Sequence, residues 1–264
     1  MDLWSQSILL GVVQGLTEFL PVSSSGHLVL LQHFLGFKGD NLLFDLLVHG
    51  ATLLAVVVYF WRDLWSLARS LVDKEAKKER RLLLYIVVAT VVTAGMGFTF
   101  KGTLEGLFYN PKVVVGTLVA TGFILFVADR FSYGDKSMFG FGWGPSALVG
   151  LAQGVAIVPG ISRSGSTVSA ALLLGMDREQ AGRFSFLIAI PAILGAFVLE
   201  VRGVKDLSAA HFVPYLGGMV AAFLVGLASI KVFLQAISRK RLVWFAFYCW
   251  GVAFLSFILF LGGY

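Results

Sequence analysis

Long apolar stretches separated by short polar loops dominate the chain. Six of them approach the roughly 20 helical residues needed to cross the hydrocarbon core of a bilayer. They lie near 43–61, 82–100, 112–128, 184–200, 212–230 and 242–261. Because a backbone surrounded by lipid must satisfy its own hydrogen bonds, these stretches are predicted to be helices. The pattern therefore predicts an all-α polytopic membrane protein with six transmembrane helices.

Two further apolar stretches are interrupted near their middles. Residues 3–35 break at Pro21-Val-Ser-Ser-Ser-Gly26, and residues 145–175 break at Pro159-Gly-Ile-Ser-Arg-Ser-Gly165. Proline disfavours helix at the residue before it, and glycine loosens the backbone. Each stretch is therefore predicted to form two half-helices in a re-entrant hairpin that returns to the side it entered.

The two interrupted stretches also begin an internal repeat. The run Gly11-Val-Val-Gln-Gly15 matches Gly150-Leu-Ala-Gln-Gly154, and Ser23, Ser25 and Gly26 match residues 139 positions later. Phe44-Asp-Leu-Leu likewise matches Phe184-Ser-Phe-Leu at nearly the same offset. Each half then holds one hairpin and three spans, and an odd number of spans makes the halves enter the membrane from opposite sides. We expect one membrane domain over 1–264, built of inverted repeats over about 1–128 and 145–264, with a binding site where the interruptions meet.

The composition and the position of the charges agree with this topology. Only 14% of the residues are charged and 58% are hydrophobic, whereas soluble domains carry about 25% charged residues. Fifteen of the 21 Lys and Arg lie in loops 62–81, 129–144, 176–183 and 231–241, which share one side in this topology. The opposite side holds Lys38, Lys101, Lys112, Arg202 and Lys205. The positive-inside rule places the basic loops on the cytoplasmic side of a cell membrane. The net charge of +6 thus reflects topology and anionic lipid, and no nucleic-acid partner is expected.

The first hairpin carries the side chains suited to catalysis. Gln14 and Glu18 are four residues apart and share a helix face, while Ser24 and His27 follow the break. Glu18 is a candidate to orient His27 or to hold a divalent cation. Ser24 is a candidate nucleophile, with His27 managing the proton, although water or His27 itself are alternative nucleophiles.

The second hairpin supplies positive charge. Arg163 is the one cation at either hairpin tip, and its fork of donors suits phosphate oxygens. The beginnings of the two second half-helices add free backbone N–H groups that favour anions. The candidate substrate-binding residues are Gln14, Ser23, Ser25, Gly26, Ser162, Ser164, Gly165 and Thr167.

Structural alternatives stand beside these roles. The serines and glycines equally suit helix capping and packing, and Glu18 with Arg163 equally suits an ion pair that only locks the two halves together. Asp45 and His49, four residues apart at the start of a span, either line the mouth of the site or form a partly hydrated pair, and the pair is the favoured interpretation.

The two interrupted motifs resemble the signature motifs of the undecaprenyl-diphosphatase family of the bacitracin-resistance type. They are Gln14-Gly-Leu-Thr-Glu-Phe-Leu-Pro-Val-Ser-Ser-Ser-Gly-His27 and Pro159-Gly-Ile-Ser-Arg-Ser-Gly-Ser-Thr167. The resemblance extends over essentially the whole chain. It implies a phosphatase that removes the terminal phosphate of a polyprenyl diphosphate lipid and so recycles the carrier for cell-envelope glycan synthesis.

The same resemblance implies a site open to the outer face and help from Mg²⁺ or Ca²⁺. Members of the family often carry Glu where this chain has Gln14, which leaves Glu18 as the main metal candidate and puts a site of two carboxylates in doubt. A polyprenyl-phosphate transporter or flippase without hydrolysis is the alternative function. The oligomeric state stays open, with a homodimer among the alternatives.

Overall fold

The computed structural model describes residues 1–108, 110–201 and 209–263, and only the backbone of 101–108 and 209–211. The described chain forms eleven α-helices and a short 3₁₀ turn at Met138–Gly140. The helices are α1 Leu3–Phe19, α2 Ser24–Leu35, α3 Asn41–Tyr59, α4 Trp61–Arg69, α5 Lys77–Phe108, α6 Pro111–Phe131, α7 Trp143–Val155, α8 Arg163–Leu173, α9 Arg178–Val201, α10 Ala209–Ser238 and α11 Leu242–Leu261.

Six of these helices are long and apolar enough to cross a membrane within the described residues: α3, α5, α6, α9, α10 and α11. They match the six predicted spans: α11 has the predicted ends, and the ends of the other five helices lie one to eight residues from the predicted ones. Polar residues that cap the first turns set some of these ends. Asp40 accepts a hydrogen bond from the Leu43 N–H at 3.0 Å before α3, and Asn110 accepts one from the Lys112 N–H before α6. The prediction of an all-α polytopic membrane protein is confirmed.

Both interrupted stretches turn back on themselves. The Gln6 side chain, near the start of α1, donates to the Leu35 carbonyl at the end of α2 at 3.1 Å. The Lys136 N–H, which precedes α7, donates to the Gly175 carbonyl after α8 at 3.1 Å. At 12 and 11 residues, α2 and α8 are also too short to cross the membrane. The two predicted hairpins are therefore hairpins of half-helices. Below, the α1–α2 turn is called tip 1 and the α7–α8 turn is called tip 2.

Repeated glycines let each hairpin pack closely against a span of the other half. A Cβ on Gly11 would collide with the backbone of Gly218 in α10. A Cβ on Gly150, the equivalent position in α7, would lie 2.5 Å from the Ala89 carbonyl oxygen in α5. Small residues allow helices in membranes to approach in this way. The hairpin of each half thus packs against a span of the other half. The boundaries of the two repeats stay a prediction.

The loops predicted to share the basic side do meet at one end of the molecule. Arg183 binds the Asp63 carboxylate at 2.5 Å, and Arg178 binds the Asp129 carboxylate at 3.0 Å. On the opposite side, Arg202 and Lys205 lie outside the described residues, as does the Lys101 side chain.

An aromatic core holds the end of α1 in place beneath tip 1. Phe19 is 1% exposed, and its ring packs edge-on against Phe186 of α9 at 5.6 Å between centroids. Phe186 in turn contacts Phe60 and Phe233. Because Phe19 follows Glu18 directly, burial of its ring fixes the direction in which the Glu18 carboxylate points.

Candidate functional site

The two hairpin tips touch in the interior. A Cβ on Gly26 would lie 2.9 Å from the Gly160 Cα, so glycine is required where the backbones meet. The Ser164 hydroxyl of tip 2 donates to the Leu20 carbonyl of tip 1 at 3.2 Å. The predicted meeting of the two interruptions is therefore what the structure shows.

The second half-helix of each hairpin is capped in the same way. Ser23 accepts a hydrogen bond from the Gly26 N–H at 3.3 Å, and Ser162 accepts one from the Gly165 N–H at 3.1 Å. The hydroxyls of Ser23 and Ser25 are 3.4 Å apart, and those of Ser162 and Ser164 are 3.3 Å apart. Ser23 and Ser162 thus act as N-caps, which was the structural alternative for these residues.

Tip 2 is held by two threonines of α6. Thr117 donates to the Pro159 carbonyl at 2.7 Å, and Thr121 donates to the Gly160 carbonyl at 2.8 Å. Thr121 also accepts from the Ser162 N–H at 3.1 Å. Gly160 has a φ of +90°, a conformation that favours glycine. These contacts fix the start of α8 and with it the position of Arg163.

Glu18 lies at the centre of the junction. Its side chain is 3% exposed, and one carboxylate oxygen, Oε1, forms an ion pair with the Arg163 guanidinium. The other oxygen, Oε2, accepts from the Ser24 hydroxyl at 2.5 Å and from the Gln14 amide at 3.1 Å. Four predicted site residues from both hairpins therefore form one hydrogen-bonded cluster. Ser24 and Arg163 are the first residues of α2 and α8, so two helix N-termini face the same point.

His49 also reaches this cluster, so the favoured interpretation of a hydrated pair with Asp45 was wrong, and the alternative that His49 lines the mouth of the site fits the structure. The His49 ring Nε2 lies 3.6 Å from Glu18 Oε2, and Nδ1 donates to the Asp45 backbone carbonyl at 2.7 Å. The Asp45 carboxylate is turned away and accepts from Gln32 at 2.6 Å. A polar residue about two turns into an apolar span was the available signal.

His27 does not contact Glu18, contrary to the expectation that Glu18 orients it. The His27 ring Nδ1 lies 2.7 Å from the Ser23 carbonyl, and Nε2 lies 3.0 Å from the Tyr248 hydroxyl. Because a carbonyl only accepts hydrogen bonds, Nδ1 carries the proton when the ring is neutral, and Nε2 accepts from Tyr248. The ring also stacks on Tyr248 of α11 at 5.6 Å. The N-cap carbonyl one helical turn earlier therefore draws the ring away from Glu18, and Tyr248 is a neighbour that the motifs do not reveal.

Thr167 hydrogen-bonds to the backbone of α8 and to α9 and not to the Glu18 carboxylate. It is 1% exposed, and its hydroxyl donates to the Arg163 carbonyl at 2.8 Å and is 2.6 Å from the Ser185 hydroxyl. The side chain thus braces the first turn of α8 from below. Its predicted role in binding substrate stays a prediction.

The cluster has donors in excess. One Arg163 nitrogen donates to Glu18, and the other N–H groups of the guanidinium have no hydrogen-bond partner among the residues that the structure describes. The side chain remains 19% exposed. With the unpaired N–H groups at the starts of α2 and α8, this arrangement suits an anion with several oxygens, as phosphate has.

The cluster offers few ligands to a metal ion. Across the described residues, no group of three or more His, Cys, Asp or Glu side chains is arranged to hold one. Glu18 is the single carboxylate, but the Gln14 Oε1 atom is buried without a hydrogen-bond partner there. Mg²⁺ is commonly bound by one or two carboxylates together with substrate phosphates. The residues therefore fit a cation shared with a bound diphosphate.

Comparison with known proteins gives a consistent family. The family model described as bacitracin resistance protein BacA matches residues 7–255. The undecaprenyl-diphosphatase of Syntrophotalea carbinolica is 46% identical over 92% of this chain and 94% of its own length. Proteins of the same name from Carboxydothermus hydrogenoformans and Methanobrevibacter smithii are 42% and 37% identical, and the matches cover 93% and 96% of both partners. The chain therefore belongs to the BacA family of bacitracin resistance proteins.

Proposed function

We propose that this chain hydrolyses undecaprenyl diphosphate, or a closely similar polyprenyl diphosphate, to the monophosphate and inorganic phosphate. The name shared by its relatives supports the reaction. The observation that carries it in this chain is the Ser24–Glu18–Arg163 cluster, in which a hydroxyl, a carboxylate and a guanidinium meet at two helix N-termini.

The diphosphate would bind at the junction of the tips. The free donors of Arg163 and the first N–H groups of α2 and α8 would surround its oxygens, while the polyprenyl chain stays among the apolar helices. Phosphoryl transfer depends mainly on positioning and on stabilising charge at the transferring group. Arg163, exposed on one side and paired with Glu18 on the other, is placed to do both.

The geometry favours Ser24 as the nucleophile. Its hydroxyl already donates to Glu18 at 2.5 Å, so Glu18 would take the proton as Ser24 Oγ bonds to the terminal phosphorus. The bond between that phosphorus and the bridging oxygen breaks, and the polyprenyl monophosphate leaves. Water then hydrolyses the phosphoserine, releasing inorganic phosphate and restoring the hydroxyl. Direct attack by water, with Ser24 only a ligand, is the competing version.

His27 would be the second proton-handling residue. Its Nε2 atom is the one ring nitrogen with a lone pair, and it faces the Tyr248 hydroxyl. The pair is placed to pass a proton between the junction and α11. In the competing version of the reaction, His27 replaces Glu18 as the base.

A divalent cation, Mg²⁺ or Ca²⁺, would assist by neutralising charge on the diphosphate. Glu18 and the buried Gln14 Oε1 atom are the protein oxygens that would hold it, with phosphate oxygens completing its ligands. Removal of free cations by a chelator is expected to slow the reaction, and Mg²⁺ to restore it.

The protein would lie in the cell membrane with its basic end in the cytoplasm. Hairpin α1–α2 would then enter from the outer face, and the site would open to that face for recycling of the carrier in cell-envelope glycan synthesis. The 15 basic residues in loops that meet at one end support this orientation. A homodimer stays a prediction.

Thiol labelling in intact cells tests the orientation. Cys249, the one cysteine of the chain, is buried, so added cysteines can be detected against a low background. Lys38→Cys should react with an impermeant thiol reagent, and Lys74→Cys should react only after the cells are opened. The reverse pattern would invert the orientation.

The alternative of a transporter without hydrolysis is not favoured, because passive binding of an anion needs no hydroxyl paired with a carboxylate. Purified protein in lipid vesicles, supplied with undecaprenyl diphosphate, separates the two functions. Hydrolysis predicts that inorganic phosphate appears in proportion to the monophosphate formed. Movement of intact diphosphate across the bilayer with no phosphate release would support the transporter instead.

A further inference from the structure

A cavity of about 450 Å³ lies at the basic end, at the opposite end of α7 from tip 2. The first turns of α5 and the first residue of α7 line it. The lining residues are Lys77, Arg80, Arg81, Leu84, Tyr85 and Trp143. Three of them are cations and none is an acid, so the cavity is suited to an anion of moderate size.

The cations are differently engaged. Arg80 donates to the Ser70 and Asp73 carbonyls at 3.2 and 2.7 Å, and so ties down the loop that follows α4. Lys77 and Arg81 are exposed, and neither forms an ion pair with any residue in the described ranges. Two positive charges therefore face the cavity without an internal counter-ion.

Tyr85 is an independent sign of a ligand. The residue is 4% exposed, and its ring packs edge-on against Trp143 at 5.8 Å. Within the described residues its hydroxyl makes no hydrogen bond, yet it is not one of the fully enclosed unpaired groups. The hydroxyl is therefore open to the cavity, where it can donate to a partner from outside the chain. In this cavity, a phosphate oxygen would be that partner.

The surface leading away from the cavity is apolar. Leu84 and Val87 of α5 and Leu148 and Leu151 of α7 are all exposed, and these two helices pack against each other. Trp143, half-exposed at the cavity edge, is of a type enriched at the membrane interface. A lipid with its headgroup in the cavity would therefore lay its acyl chains along the outside of α5 and α7.

We propose that this cavity binds the headgroup of an anionic phospholipid, such as phosphatidylglycerol, at the membrane surface. Lys77 and Arg81 bind the phosphate, the Tyr85 hydroxyl donates to it, and Leu84 and Trp143 contact the glycerol and the upper acyl chain. Basic pockets between transmembrane helices are known to bind such headgroups. Because α7 begins hairpin α7–α8, a bound lipid would also brace the hairpin that carries Arg163.

Native mass spectrometry in a neutral detergent tests the proposal, because no charged bilayer surface is then present to attract lysines in general. The wild-type protein should retain one phosphatidylglycerol and should bind phosphatidylcholine at least about tenfold more weakly. The Lys77→Ala/Arg81→Ala variant should lose at least about tenfold in affinity for phosphatidylglycerol. Tyr85→Phe, which keeps the ring, should lose about threefold through the missing hydrogen bond.

The Lys74→Ala/Lys78→Ala variant is the matched control. It removes the same charge from neighbouring residues, one just before α5 and one in its first turn, which do not line the cavity, and should bind within about twofold of wild type. Equal losses in both double variants, or equal binding of phosphatidylcholine and phosphatidylglycerol, would overturn the proposal. Binding of free glycerophosphoglycerol as tight as that of the whole lipid would also overturn it, because the site would then be one for soluble anions.

Discussion

Tip 1 and tip 2 share the same capping arrangement but carry different reactive side chains. In both, a serine caps the second half-helix by accepting from a glycine N–H three residues later. A second serine lies about 3.4 Å from the capping serine. Ser24 of tip 1 and Arg163 of tip 2 then occupy the same position, the first residue of the half-helix, and both bind Glu18.

The differences fall where the residues face the junction. Glu18 and His27 of tip 1 correspond to Ile157 and Ser166 of tip 2. Helix α1 also continues to Phe19, whereas α7 ends at Val155, about one turn earlier by the repeat. That extra turn carries Glu18 to the junction. The repeat thus builds two helix N-termini that face one junction, and the departures from it place Glu18 on one side and Arg163 on the other. In the proposed reaction, tip 1 would supply the nucleophile and base and tip 2 the cation.

The largest effect is expected from the cation of tip 2. Arg163→Ala should lower phosphate release by about 10³-fold or more, the loss typical when an arginine that stabilises the transferring phosphoryl group is removed. It should also destabilise the fold by about 3–5 kcal/mol, because Glu18 would be left buried without its partner. Phosphate release and thermal unfolding in detergent measure the two effects.

The double variant Glu18→Gln/Arg163→Ala tests whether Arg163 binds phosphate or only pairs with Glu18 to hold the two halves together. It removes both charges, so stability should return while activity stays absent. If the ion pair only locks the halves together, the double variant should be both stable and active.

Removal of the tip 1 hydroxyl should be nearly as severe. Ser24→Ala should lower turnover by about 10³-fold if Ser24 attacks phosphorus, since no other hydroxyl donates to Glu18 in the described structure. Ser25→Ala is the matched control one residue away, and it should lose less than about tenfold. Partial activity in Ser24→Ala together with a dead His27→Ala would instead favour attack by water.

The Tyr248 hydroxyl should have a smaller effect. Tyr248→Phe keeps the ring that stacks on His27 and removes only the hydrogen bond to Nε2, so turnover should fall about threefold to tenfold. His27→Ala should cost about 10²-fold or more. Tyr133→Phe, the same change at an exposed tyrosine, is the control and should be nearly neutral. Equal rates for Tyr248→Phe and wild type would remove Tyr248 from the site.

The smallest effects are expected at the serine caps that the two tips share. Ser162→Gly and Ser23→Gly each remove a capping hydroxyl. Ser23, however, has a φ of +70°, which costs a non-glycine residue about 1–3 kcal/mol. Ser23→Gly relieves that strain, so it should destabilise the fold less than Ser162→Gly, by about 1 kcal/mol in denaturant unfolding. A larger loss at position 23 would contradict the caps as described.

Much of the fold followed from the sequence because its causes are local. Apolar length gave the spans, and Pro21 with Pro159-Gly160 gave the breaks. The contacts between side chains in the site could not be predicted from the sequence. His49 reaches Glu18 because of how α3 packs against tip 1, and these two residues are more than 30 positions apart in the chain. His27 turns to Tyr248 because of how α11 packs against tip 1, and that pair is more than 220 positions apart. Motif spacing fixes which residues share a hairpin, but not which way a ring turns within it.

The division of labour between the tips is tested most directly by trapping the intermediate. Purified protein is mixed with undecaprenyl diphosphate labelled in its terminal phosphate, quenched within a turnover, and digested for mass spectrometry. We predict that the label is found on Ser24 and is absent from the Ser24→Ala variant. Label on His27, or wild-type turnover in Ser24→Ala with no label on the protein, would contradict the assignment of attack to Ser24 of tip 1.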